Sequence, residues 1–480
     1  MNDRKGFGSN FGFLMAAVGS AVGLGNIWGF PNKMGANGGF PFLILYLALA
    51  LCCGVIIMLG ELALGRKTGH GAVGAYQSIS KRFKWLGWLG IAAAALIFSF
   101  YSALGGYCLR YVVVNFGNLI GAEFGTNGVG GADVFQGLLS QPDVSIAFAL
   151  AFMLITMLVV MCGVGGGIER VCSVGMPALF FILIICIIRS CTLPGAADGL
   201  KYMFVPGWAV ANGIIDEAPG FWRVLTAAGG QMFFSLSLGA GVMITYGSYL
   251  DKKQDLGKST MIIVGMDTVV ALMAGLCVIP GRFALDPNGA LGGPELLFIT
   301  MQNVFDKMGP AGPVFGILFY LLVFFAAISS SISMLEVIVA HFCDKAREKG
   351  KGDRRKLYSA IVVVICAALC ALVCADGMGS NHISPAELLG LAGAKLPGWS
   401  TSWLGLFDSV AEGLLMPLGA LLMCLMISWE LKPDVLRQEI LLNGENRPWV
   451  YDFFRLCVKY ITPLCMLMIL YGQISDFFIA

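Results

Sequence analysis

Gly19-Ser-Ala-Val-Gly-Leu-Gly-Asn-Ile-Trp-Gly-Phe-Pro31 is a helix-breaking stretch set inside an apolar run long enough to cross a bilayer. Gly19, Gly23, Gly25, Asn26, Gly29 and Pro31 are poor helix formers crowded together. In hydrocarbon an unpaired backbone N–H or C=O is costly, so broken backbone persists only where it is buried in protein or lines a wet cavity. Such a break frees carbonyls for cations and amides for anions. The competing reading is a glycine-rich packing face between membrane helices.

A second stretch, Gly229-Gly-Gln-Met-Phe-Phe-Ser-Leu-Ser-Leu-Gly-Ala-Gly241, favours the first reading. It lies half a chain later and again places glycines and hydroxyls (Ser235, Ser237) in an apolar run. Paired interruptions at matching places in two halves point to a transport site between inverted repeats.

Working outward, 58% of the 480 residues are hydrophobic and only 12% are charged, too apolar for a soluble chain of this length. Eleven runs have spanning length: span 1 at 10–34, then 40–65, 87–118, 146–163, 174–191, 222–249, 259–281, 311–341, 357–376, 403–429, and span 11 at 454–478. Most of the 31 basic residues fall on one side, which the positive-inside rule makes cytoplasmic. The expected location is the inner (plasma) membrane, multi-pass, with the N-terminus cytoplasmic, the C-terminus outside and no cleaved signal. Residues 1–480 read as a single transporter domain: repeat one at about 8–192, repeat two at about 220–430, and an extra span at about 454–478. An odd number of spans per half makes the halves run oppositely. The loops 192–221 and 282–310 contain short amphipathic pieces. A net charge of +2 leaves no nucleic-acid footprint, and no obligate protein partner is evident beyond membrane lipid. Of fifteen cysteines, Cys366, Cys370 and Cys374 share a helix face and read as packing residues.

Four polar clusters lie within spans: Asn26; Ser235 with Ser237; Asp267; and Ser329-Ser330-Ser331 with Ser333. A mid-membrane aspartate requires a partner. No Lys or Arg lies deep in a span to serve, which points to a bound cation. A hard-oxygen site with one carboxylate suits sodium better than calcium or magnesium. Serines that back-bond to the preceding helical turn are the structural alternative for the span 8 run. Glu61 reads as a structural partner of broken backbone, and His70 and His341 as interfacial.

These features together resemble the neurotransmitter:sodium symporter family and its LeuT-type fold. The specific motifs are Val22-Gly-Leu-Gly-Asn26 with Phe30-Pro31, Asn37-Gly-Gly39, Gln231-Met-Phe-Phe-Ser-Leu-Ser-Leu-Gly239 and Phe324-Phe-Ala-Ala-Ile-Ser-Ser-Ser331. The resemblance implies an all-α polytopic membrane protein with a 5+5 inverted-topology repeat, discontinuous spans 1 and 6, and an eleventh span, as in the prokaryotic branch. It implies a sodium-coupled symporter, not an enzyme, that works by alternating access with two sodium ions. Carried over, the first sodium site falls on the Ala21 carbonyl, Asn26, Ser235 and Asp267. The second falls on the carbonyls of Gly19, Val22 and Ala326 and the hydroxyls of Ser329 and Ser330. The substrate pocket falls on Ala21, Gly25, Ile97, Tyr101, Phe234, Ser237, Ala240, Ser330 and Met334, with Tyr101 on the substrate carboxylate.

Gly23 stands where monoamine-carrying relatives have an aspartate, so the resemblance implies an α-amino acid substrate. Ala240 widens the side-chain subsite, implying a large hydrophobic or aromatic one. Tyr46, Gln231 and Ser235 match the chloride ligands of chloride-dependent relatives, but Ala271 and Asp267 depart from them. Chloride independence is expected, with Asp267 open to a proton on the return step. At the inner gate Arg4 and Asp344 match the family's ion pair, beside Phe7 and Tyr249. At the outer gate Asp408 matches the acidic member, but Gly29 replaces its basic partner, so closure is expected to rest on Tyr101, Phe234 and loops, or on another cation such as Lys33. Gly167 and Pro177 match a family spacing that marks unwinding at the cytoplasmic end of span 5. A channel would want a continuous polar face and an enzyme a catalytic set. The nearest alternative is an amino-acid sensor or receptor on the same fold without net transport.

Overall fold

A computed structural model describes residues 6–126, 128–291, 293, 295–352, 354–391, 398–431, 434–441 and 448–475. Among these residues the chain is helical, without strands. Nine helices are long and apolar enough to cross a membrane, and Asn10–Ala21 with Gly25–Ala36 form a further bent pair, at 45°. Run 222–249 is occupied by Phe221–Leu236 and Val242–Gly247, two pieces each short of a full span. Each predicted run thus coincides with a helix or a broken pair. The loops 192–221 and 282–310 carry the short helices Ala196–Phe204 and Met301–Lys307.

Spans 3 (Leu86–Ile120) and 8 (Gly309–Glu348) are the longest helices and pack along each other, with spans 4 and 9 completing a group. Small residues allow the approach: a Cβ on Gly106 would lie 2.5 Å from the Ala149 backbone nitrogen of span 4. Spans 1, 2, 6 and 7 pack together as a second group. The two groups face each other where spans 1 and 6 break, so the broken backbone is sheathed in protein. Cys366, Cys370 and Cys374 are buried and make no disulfide. His341 is buried more deeply than an interfacial residue, its ring edge-on to Trp88.

Candidate functional site at the two helix breaks

The first helix ends where Val22 turns to an extended ψ of 99°. Continued winding would pair the amides of Gly23 and Leu24 with the carbonyls of Gly19 and Ser20. Instead the Gly23 amide donates to Asn26 Oδ1 at 3.0 Å, and the Leu24 amide to the Tyr101 hydroxyl at 2.7 Å. The Asn26 amide turns back to Gly23 O at 3.1 Å, which releases Val22 O. Helix resumes with the loose winding of Gly25–Gly29. In span 6 the break is longer. Ser237, Gly239 and Gly241 take left-handed φ values of 53°, 78° and 75°. Gly239 is required twice over, because a Cβ there would also lie 2.2 Å from Met416 O of span 10.

The freed carbonyls of span 1 gather hydroxyls. Ser329 Oγ lies 3.4 Å from Val22 O and 3.0 Å from Ala326 O. Ser330 Oγ lies 3.4 Å from Gly19 O and 3.0 Å from Ser20 O. All five oxygen donors assigned by resemblance to the second sodium site are therefore brought together. A neighbouring cluster joins Asn26 Nδ2 to Asp267 Oδ1 at 2.7 Å and Ser235 Oγ to Asp267 Oδ2 at 3.0 Å. The Tyr46 hydroxyl completes it at 3.3 Å from Asp267 Oδ2. Ala21, the last residue of the first helix, is buried.

Of the residues expected to line the substrate pocket, Gly25, Tyr101, Phe234, Ser237 and Ser330 come together at the breaks. Tyr101 and Phe234 have ring centroids 6.3 Å apart. A Cβ on Gly25 would lie 2.9 Å from Phe234 Cδ1. A Cβ on Gly23 would lie 2.2 Å from Ser330 Oγ and 2.5 Å from the Tyr101 hydroxyl, so Gly23 packs directly on these two hydroxyls. Ser237 Oγ donates to Ser20 O at 3.1 Å, and Ile97, Ala240 and Met334 are buried. Gln231 Nε2 donates to Gly25 O at 2.6 Å, and Ala271 is buried.

Sequence reasoning passed over Ser20, whose carbonyl receives both Ser237 and Ser330. Its position inside the quoted stretch was the available signal. It also passed over Glu336, a carboxylate in an apolar run and so as conspicuous as Asp267. Glu336 accepts from the Tyr249 hydroxyl at 2.6 Å and pairs with Arg355 at 2.5 Å. Arg4 lies outside the described residues; Asp344 accepts from the Gly71 amide at 3.2 Å. Phe7 packs edge-on to Tyr246 and Tyr249. On the other side Lys33 pairs with Glu412 rather than with Asp408, which lies beside both. Helical side chains lean toward their own N-terminus, so Lys33 covers the turn of Gly29 and Glu412 that of Asp408. The pair thus meets near the level expected of residues 29 and 408. Span 5 is wound here: the loose turns Val164–Glu169 lead into Arg170–Cys191 with Pro177 inside, so the expected unwound end is not the state observed.

The sequence profile of the sodium:neurotransmitter symporter family matches residues 4–127 and 132–478. The chain belongs to the sodium:neurotransmitter symporter family. It is 36% identical to the uncharacterized sodium-dependent transporter YhdH of Bacillus subtilis, over 97% of each chain. It is 28% identical to the sodium-dependent transporter MJ1319 of Methanocaldococcus jannaschii, over 99% of this chain and 91% of that one. The crystal structure of MhsT in complex with L-phenylalanine superposes with a TM-score of 0.83 at 33% identity, covering 98% of this chain and 100% of MhsT. This symporter-family chain therefore has the LeuT-type fold, is a multi-pass membrane transporter, and is not an enzyme.

Proposed function

We propose that the chain imports an α-amino acid together with sodium, by alternating access, through an eleven-span arrangement in the inner (plasma) membrane with the N-terminus cytoplasmic and the C-terminus outside. One observation carries the reading. Carbonyls released at the span 1 break meet hydroxyls of spans 6 and 8 in one oxygen cluster, and the Asn26 side chain meets the Ser235 hydroxyl and the Asp267 carboxylate in a second. Oxygen donors with one fixed negative charge suit sodium. The first ion sits at Ala21, Asn26, Ser235 and Asp267, and the second at Gly19, Val22, Ala326, Ser329 and Ser330.

The Tyr101 hydroxyl and the amides after Gly23 hold the substrate carboxylate against the first sodium. Each ligand then raises the other's affinity by the same factor. The missing side chain at Gly23, close against Ser330 Oγ and the Tyr101 hydroxyl, supports an amino acid over a monoamine, and the phenylalanine bound by MhsT supports a large or aromatic side chain. Asp267 supplies the negative charge that chloride brings elsewhere, so transport is chloride-independent. Spans 1, 2, 6 and 7 rock against spans 3, 4, 8 and 9. Lys33 with Glu412 and Asp408 closes the outer side; Arg4 with Asp344, beside Tyr249, closes the inner side; and the Gly167–Pro177 segment unwinds to release the second ion.

At roughly 100 mV each sodium charge gains about 2.3 kcal/mol, and a tenfold gradient adds about 1.4 kcal/mol. Two ions then support roughly 10⁵-fold accumulation of a zwitterion. Proteoliposome uptake tests the reading. Labelled phenylalanine or another large amino acid accumulates with outside sodium, not with potassium, and equally well with gluconate replacing chloride. Sodium-dependent binding without accumulation would make the chain a sensor.

A further inference from the structure

Away from the helix breaks, one cavity holds unneutralised charge of both signs. Arg110 stands on span 3, nine residues beyond Tyr101. At 1.5 Å per residue that is about 14 Å along the axis. Tyr101 meets the span 1 break, which the paired interruptions put at mid-membrane. Half of a hydrocarbon core is about 15 Å, so Arg110 lies where acyl chains give way to head groups. Its guanidinium sits over the Phe148 ring of span 4, 5.9 Å from the centroid. Among the described residues it makes no ion pair.

Asp133, in the first turn of Gly131–Leu139, makes no ion pair either, and it lines the same cavity as Arg110. The cavity has a volume of about 300 Å³. Thr126 and Gln141 add polar groups, while Val114, Val134 and Val144 make apolar walls. A cation and an anion that line one cavity without neutralising each other fit a ligand carrying both signs. Valine walls at this depth fit hydrocarbon attached to it.

The geometry points to a binding site for the head group of an ethanolamine phospholipid in the outer half of the bilayer. The phosphate lies on Arg110, whose fork matches it bidentately. The ammonium lies toward Asp133, and the glycerol end lies on the valines. A choline head group cannot donate hydrogen bonds to Asp133, and a glycerol head group has no cation for it. The assignment rests on the membrane depth of span 3 and on the cytoplasmic N-terminus proposed above, but not on sodium coupling, so the lipid and transport readings fail separately.

The test uses the purified full-length protein and its melting temperature after addition of dioleoyl phosphatidylethanolamine, phosphatidylcholine or phosphatidylglycerol at equal mole fraction, with bound lipid counted by native mass spectrometry. The ethanolamine lipid is expected to bind about tenfold more tightly than the choline lipid, a difference of about 1.4 kcal/mol. Arg110→Gln erases the preference. Asp133→Asn, an exposed change that spares folding, turns it toward phosphatidylglycerol. Equal response of the wild type to all three lipids, or an unchanged preference in Asp133→Asn, overturns the proposal. So does soluble glycerophosphoethanolamine reproducing the whole effect, which would make the ligand a free metabolite.

Discussion

The two helix breaks share a membrane but are satisfied in opposite ways. The first takes only Val22 to Leu24 and leaves its acceptors, the carbonyls of Gly19, Ser20 and Val22, facing hydroxyls that rotate freely. A cation can displace those weak contacts at little cost. The second takes Ser237 to Gly241, and its freed donor is claimed by the protein's own anion: the Gly239 amide donates to Glu61 Oε1 at 2.7 Å. One break offers its acceptors to neutral hydroxyls, and the other gives its donor to a fixed charge. A helix interruption in a bilayer is therefore functional or structural according to which partner, mobile or covalent, completes its backbone.

The contrast can be broken or sharpened by substitution. Asp267→Ala removes the carboxylate beside the first break and should lower sodium-dependent uptake about 100-fold or more, as when one partner of a buried charge pair is deleted. Wild-type sodium response in that variant would remove the first break from coupling. Glu61→Ala strands the Gly239 amide and should cost about 1–3 kcal/mol of stability, read as a lower melting temperature with sodium affinity retained in the surviving protein. A selective loss of sodium affinity there would erase the distinction between the breaks.

Ser329→Ala should raise the sodium concentration for half-maximal binding by about fivefold, the worth of roughly 1 kcal/mol from one hydroxyl, and leave substrate binding intact in saturating sodium. Lys33→Met should change outward closure by about 1 kcal/mol, since its ammonium is partly solvated; accessibility of a cysteine label in the outer vestibule reads this. The exchange Lys33→Glu with Glu412→Lys should restore closure, whereas Lys33→Met combined with Asp408→Asn should add little.

Much of this was legible in the chain. The spans followed from run length because the bilayer sets it, and the breaks followed from glycine crowding because hydrocarbon forbids loose backbone elsewhere. Glu61 was read correctly as a partner of broken backbone. The outer pair was read only in part: Lys33 was among the alternatives, yet it meets Glu412 rather than Asp408, because side-chain lean shifts contacts by a turn and no spacing rule records it. Glu336 escaped for a similar reason. Its partners Tyr249 and Arg355 are remote along the chain from the run that holds it, so only packing reveals the cluster.

What the sequence by itself determined is where helix must stop, since that depends on each residue's own backbone freedom and on the solvent around it. Which oxygen faces which was decided only by the tertiary structure. Asn26, Ser235, Asp267 and Ser330 lie on four different spans, and their meeting depends on how those helices cross rather than on any interval between them.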